Sequence, residues 1–264
     1  MLLTSAMLPP ALPRTALVTG GAVRLGRAIC LGLAEAGFAI AIHCHRSRDA
    51  ADELAAEIVR SGGAASVLQA DLMVEAETAL LVERAERALG PVGVLVNNAS
   101  TFERDEWDDA TRASWDQHIE PNLRAPFVLM QSMARSLPKT AEGLIINMLD
   151  ERVWSLTPHF ISYSVAKAGL WALTQQMALA LAPRIRVNSI GPGPALPSPR
   201  QTAEQFQRQC QSVPLRRGTS PEEIARAVIA ILLLPAMTGQ MIALDGGQHL
   251  QWSPSRPDQT RIEE

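Results

Sequence analysis

Hydrophobic positions along the chain fall into two alternating patterns. Short, near-continuous apolar runs recur at residues 16–19, 39–43, 66–69, 94–96, 144–148, 185–190 and 241–244. Between them, apolar residues return every three or four positions over 25–36, 49–60, 75–88, 123–136, 160–181 and 221–234. The first pattern predicts strands buried on both faces, and the second predicts amphipathic helices. Their alternation predicts a parallel sheet covered by helices on both sides, a doubly wound α/β fold forming a single domain over 15–252. Ligands of such sheets sit beyond the carboxyl ends of the strands, so those loops are where chemistry is expected.

Three segments depart from the pattern. Residues 1–14 read as a short extension before the first strand, and 253–264 as a polar tail. The proline-rich run GPGPALPSP at 191–199 is followed by TAEQFQRQCQ at 202–211, which reads as a short amphipathic lid. Together they make a substrate loop of about 191–217.

Composition narrows the class. With 264 residues and 47% hydrophobic content, the chain can bury a large core without disulfides or a structural metal. Its formal charge of −3, with both signs interspersed, offers no basic stripe for nucleic acid. The longest apolar run, 228–237, is about half a membrane span and contains Pro235. Cys30, Cys44 and Cys210 form no paired motif, which predicts a reducing, cytoplasmic setting. Two histidines, His43 and His45, share a strand face, but no carboxylate or cysteine cluster completes a metal site, and none is expected. Among 24 basic side chains only Lys139 and Lys167 are lysine, and Tyr163 is the only tyrosine.

The turn after the first strand, Gly20-Gly21-Ala22-Val23-Arg24-Leu25-Gly26, opens a helix. Glycines let the backbone approach closely, and the helix amides attract a pyrophosphate. An NAD site places a carboxylate at the end of the second strand to accept from the ribose 2′-hydroxyl. Here that end carries His45, Arg46 and Ser47, donors suited to a 2′-phosphate, so NADP(H) is the expected cofactor. Asp71-Leu72 and Asn98-Ala99-Ser100 follow the third and fourth strands. There an aspartate can accept from an adenine amino group, and a small loop can pack on the cofactor. Tyr163 and Lys167 stand at i, i+4, on one helix face. A phenol with an ordinary pKa near 10 is a poor acid–base group at neutral pH, and a neighbouring ammonium is expected to lower it.

With these marks the chain resembles the short-chain dehydrogenase/reductase superfamily from Thr15 to about Leu250. The marks are the Gly20–Gly26 turn, Asp71, Asn97-Asn98-Ala99, Asn122, Tyr163-xxx-Lys167 and Pro192-Gly193. It is more closely similar to the pteridine reductase and dihydromonapterin reductase branch, on Arg24, His43-x-His45-Arg46-Ser47, Asn98 to Phe102, Asn147 to Asp150 and Leu244 to Gly247. The resemblance implies a seven-stranded, mainly parallel, Rossmann-like sheet. It assigns Gly20, Arg24, Leu25, Gly26, Leu72, Asn98, Ala99, Pro192 and Gly193 to the cofactor. It further implies that Tyr163, Lys167 and Asn122 are catalytic, with Asn122 holding a water link to Lys167. Phe102 would stack on a flat substrate ring, while Ser100 and Arg24 would contact polar edges and a cofactor phosphate. A homotetramer or homodimer is implied through helices 123–136 and 160–181.

Asp150 departs from the superfamily, most members of which carry serine thirteen residues before the tyrosine. An ionised aspartate cannot donate to a ketone oxygen and would repel a developing alkoxide. It suits a nitrogen heterocycle, from whose ring N–H or amino groups it can accept or to whose imine-type nitrogen it can relay a proton, so Asp150 is expected to be catalytic with Tyr163 and Lys167. The expected activity is therefore NADPH-dependent reduction of a reduced pterin of dihydropteridine, dihydromonapterin or dihydrofolate type. The alternatives are an NADPH-dependent carbonyl reductase of 3-oxoacyl or keto-sugar type, and a non-catalytic NADP(H)-sensing protein.

Overall fold

A computed structural model describes residues 8–198 and 200–250; the tail at 253–264 lies outside them. The apolar runs form strands β1 (Thr15–Val18), β2 (Ala39–Cys44), β3 (Ala65–Gln69), β4 (Val92–Asn97), β5 (Gly143–Met148), β6 (Ile185–Pro192) and β7 (Met241–Leu244). They lie in one sheet in the order β3-β2-β1-β4-β5-β6-β7. All neighbouring pairs are parallel.

The two-sided apolar pattern has a direct cause in the packing. Along β1, Ala16 and Val18 enter one core and Leu17 enters the other. Ile40 and Ile42 alternate with Ala41 in the same way, and Val94 and Val96 with Leu95. The first core is closed by α1 (Arg24–Glu35), α2 (Arg48–Arg60) and α9 (Pro221–Leu232). On the opposite face lie α4 (Leu81–Leu89), α6 (Ala125–Ser136) and α7 (Ile161–Leu181). Each fully buried leucine or isoleucine in these layers contributes roughly 1.5–3 kcal/mol relative to exposure.

Several elements differ from expectation for identifiable reasons. The helix read over 75–88 divides into α3 (Glu75–Ala79) and α4, because Leu80 N–H bonds to Glu77 O and tightens the junction. A π-helical turn, Glu120–Arg124, precedes α6; Pro121 within it has no N–H for the regular ladder. Helix α5 (Arg112–Ile119) was not predicted, since RASWDQHI has little amphipathic contrast; Thr111 and Ser114 start it with a capping box. The lid is α8 (Ala203–Ser212), likewise begun by a capping box, from Thr202 and Gln205. Leu8 and Leu12 of the N-terminal extension are buried in the first core. The described part of the extension, from Leu8 on, therefore packs as part of the domain.

The strand order reverses between β1 and β4, whose chains leave toward opposite edges, and a crevice opens beyond their carboxyl ends. His43 fastens this region. Its Nδ1 accepts from Gly20 N–H at 3.1 Å, and its Nε2 meets Ala70 O at 3.1 Å, so the ring is neutral with the proton on Nε2. Burial lowers its pKa from 6.5 to about 4, against the opposing effect of the Ala70 bond. The folded state therefore binds fewer protons than the unfolded chain between these values. His43 stabilises fully above about 6.5, and its contribution declines as pH falls toward 4. Urea titration across this window should show a His43-dependent loss on the order of 3 kcal/mol, obtained as the difference between the wild type and His43→Asn.

Candidate active site

The glycine turn is held by residues distant in sequence. Thr19 Oγ1 accepts from the N–H groups of Asn98 (2.9 Å) and Ala99 (3.0 Å), and Asn98 Nδ2 donates to the carbonyls of Thr19 (2.9 Å) and Gly20 (3.1 Å). A Cβ on Gly26 would lie 2.0 Å from Gly20 O, so only glycine closes this turn. Val23, at the start of α1, supplies no side-chain cap, and the first turn carries no acid. The N-terminal amides and the positive end of the helix dipole are thus left available to an anion.

Two adjoining cavities run along the strand ends. One, of about 410 Å³, brings together His45, Arg46, Ser47, Asp71 and Leu72. The other, of about 440 Å³, gathers Arg24, Leu25, Gly26, Asn98, Phe102, Asp150, Tyr163, Lys167, Pro192 and Gly193. Gly20, Ala99 and Ser100 line both. Asp71 accepts from Met73 N–H at 2.9 Å and lies 3.6 Å from His45 Nε2. A smaller cavity of about 160 Å³ continues from Asp150 toward Glu151, Arg152, Gln201, Gln209 and Gln248. Of the anticipated site residues, Asn122 alone lines none of these cavities.

The corrections are local. The Asn122 side chain bonds the backbone of Thr101 at both ends of its amide (2.9 and 2.8 Å), so it braces the Ser100–Phe102 segment. Lys167 Nζ donates to Met148 O at 2.8 Å and stands 5.7 Å from the Tyr163 ring centroid. The phenol of Tyr163 donates instead to Asp150 Oδ2 at 2.8 Å. Burial and the Asp150 charge push its pKa well above 10, the reverse of the lowering expected from Lys167. Arg24, with φ of 54°, aims its guanidinium at the carbonyls of Pro197 (3.1 Å) and Leu196 (3.4 Å), tying the turn to the substrate loop. Phe102 stacks on Phe160, with ring centroids 4.6 Å apart, and meets Tyr163 edge-on at 4.6 Å.

Sequence reading missed Arg152. Its Nη1 reaches both Asp150 oxygens at 3.2 Å, and its guanidinium carbon lies 5.5 Å from the Phe102 and Phe160 ring centroids. The only sequence signal was its place two residues after Asp150. Glu151 was missed too. Burial, and then the Asp150 charge, raise its pKa to about 8, and it accepts from Gln248 Nε2 at 3.1 Å. The cleft thus holds a phenol, an ion-paired carboxylate and a buried ammonium within one wall. That set can give a proton to a bound molecule and accept hydrogen bonds from its N–H groups.

A family model for short-chain dehydrogenases matches residues 14–208. The chain belongs to that family. It is 31% identical over 238 residues to a 3-oxoacyl-[acyl-carrier-protein] reductase of Synechocystis, covering 89% of this chain and 96% of the relative. A probable galactose dehydrogenase of Rhizobium meliloti is 31% identical over 257 residues, covering 94% of this chain and 99% of the relative. Among solved structures, FolM alternative dihydrofolate reductase 1 from Brucella canis, complexed with NADP, superposes with a TM-score of 0.89 at 47% identity. The match covers 94% of this chain and 98% of that one. Its Brucella suis counterpart, also with NADP, gives 0.88 at 48% identity, covering 92% and 97%. This short-chain dehydrogenase is an oxidoreductase by membership. Among the described residues, no helix is long and apolar enough to cross a membrane.

The Asp150–Arg152 pair is mostly buried, so removing one partner strands a charge in a poorly solvated place. Arg152→Leu should lower the unfolding free energy by about 3 kcal/mol. The double change Asp150→Asn with Arg152→Leu should recover a substantial part of that loss. Chemical denaturation of the four proteins in a double-mutant cycle checks both values.

Proposed function

We propose that the chain is an NADPH-dependent reductase of a reduced pterin, of dihydropteridine, dihydromonapterin or dihydrofolate type. The observation that carries this reading is the Asp150 carboxylate, ion-paired to Arg152 and accepting from the catalytic tyrosine. Ketone reduction calls for a neutral donor at this position. An acceptor there favours a ligand rich in N–H and amino donors. The 47% identical FolM structure supports the same choice.

The cleft fits NADP(H). The uncapped start of α1 faces it, and Arg46 and Ser47 at the end of β2 offer donors where an NAD site places a carboxylate. NADPH, when bound, supplies the hydride for a C=N bond of the ring. Tyr163 then gives its proton to the ring nitrogen, directly or through water. A phenol held above its ordinary pKa is a weak acid, but an imine-type nitrogen is more basic than a ketone oxygen and needs no stronger one. Lys167 stabilises the phenolate left behind. Asp150 accepts from substrate donors, and Phe102 supplies an aromatic wall.

Within this reading the chain works in the reducing cytoplasm, consistent with three free cysteines. It assembles as a homotetramer or homodimer, for which the exposed Val165 and Leu179 on α7 offer apolar surface.

An NADPH-oxidation screen of dihydropterins, dihydrofolate and simple ketones tests the function. Turnover is expected on pterins, and ketone turnover without pterin turnover would overturn the reading in favour of the carbonyl reductase. Cofactor binding without turnover on any substrate would favour the sensing protein. Asp150→Ser should reduce kcat/KM for the pterin by about 100-fold, the scale of a lost preorganised hydrogen-bond partner. Burial lowers the Lys167 pKa to about 8, so its charge is lost as pH rises through that value. The kcat profile should decline above pH 8, and Lys167→Arg, which stays charged, should move that decline to higher pH.

A further inference from the structure

Behind the aromatic wall lies a cluster that the proposed chemistry does not use. Asp105, His118 and Ser162 come from the loop after β4, from α5 and from the first turn of α7, and each is at most 2% exposed. Glu103 N–H donates to His118 Nε2 at 3.0 Å, so the imidazole proton resides on Nδ1. Nδ1 then donates toward Ser162 Oγ (2.7 Å) and Ser114 O (3.0 Å). The Ser162 hydroxyl donates to Asp105 Oδ2, and Ser162 N–H donates to Asp105 Oδ1 at 3.2 Å.

A carboxylate, a hydroxyl and an imidazole in contact invite comparison with a hydrolytic triad, but the proton direction excludes it. In a triad the imidazole takes the serine proton. Here the nitrogen beside the serine already carries one, and the serine proton points to the carboxylate. The cluster therefore serves position rather than attack.

What it positions follows from the chain. α7 has no side-chain cap of its own and no acid in its first turn. Asp105 takes that place from another segment. Its carboxylate receives the Ser162 amide, and its carbonyl receives the Phe160 (3.0 Å) and Ile161 (3.4 Å) amides. Phe160 is held there in the left-handed region, at φ of 57° and ψ of 50°, which a phenylalanine rarely occupies unaided. Tyr163 is the next residue after Ser162, and Phe102 lies three residues before Asp105. Asp105 thus holds the start of α7, where Tyr163 stands, to the chain segment that carries Phe102.

We propose that Asp105, with Ser162 and His118, is a positioning unit that fixes the Tyr163 phenol against Phe102 for proton delivery. The proposal rests on the reductase reading of Tyr163 and does not depend on the substrate. Tyr163 is the only tyrosine in the chain. A protein labelled with ¹³Cζ-tyrosine therefore gives a single NMR resonance that reports the phenol without any substrate.

Asp105→Asn and Ser162→Ala should each shift and broaden this resonance. They should lower kcat by about tenfold or more, in line with the effect of small displacements of a reacting group. The Kd for NADPH should stay within about twofold. His118→Gln, which can accept from Glu103 and donate to Ser162, should keep the wild-type resonance and kcat, whereas His118→Leu should not. Folded variants with an unchanged resonance and unchanged kcat would overturn the proposal. So would a resonance altered only in proportion to lost folded fraction by circular dichroism. If the wild type turned over no substrate, the reductase reading would fail, and the resonance in Ser162→Ala and His118→Gln would still decide the positioning role.

Discussion

The hydrogen bond from the Tyr163 phenol to the Asp150 carboxylate constrains the whole cleft. It places a proton donor against a carboxylate, in a site where desolvation magnifies every charge. Such an arrangement is tolerable only because Arg152 faces the same carboxylate and Lys167 is seated on the Met148 carbonyl at the end of β5. The aromatic rings of Phe102 and Phe160 then cover the guanidinium, so the ion pair and the flat wall are parts of one packing unit. The parallel sheet supplies the rigid ends to which this unit is attached.

Family membership leaves the choice of substrate to these side chains. Relatives about 30% identical over nearly the whole chain include a 3-oxoacyl-carrier-protein reductase and a probable galactose dehydrogenase. Similarity over nearly the whole chain thus goes with relatives whose names point to very different molecules. In this chain position 150 is taken by a carboxylate, held by an arginine two residues later, which gives the pocket an acceptor for N–H donors.

The sheet was legible because its strands are apolar on both faces and alternate with helical periods, the pattern of a parallel sheet covered on both sides. Tyr163, Lys167 and the glycine turn were legible because their spacing is local and chemically specific. What escaped depends on contacts between distant segments. Thr19 meets Asn98 across 79 positions, and Asp105 meets Ser162 across 57. His43 read as part of a strand and proved to be the clamp on the glycine turn. The sign of the Tyr163 shift was misjudged for the same reason. Lys167 is its neighbour along the helix, but Asp150 is its partner in space. Helix α5 was missed because its faces barely differ in polarity, and a capping box is a weak signal without periodicity behind it.

Arg24 joins two functions that are usually discussed apart. Its backbone belongs to the turn that opens α1, while its guanidinium grips the carbonyls of Leu196 and Pro197 in the loop leading to α8. Any molecule seated at that turn lies beside the anchor of the lid. One side chain thus makes the anion-binding turn and the lid loop neighbours in space, although 173 positions of sequence separate Arg24 from Pro197.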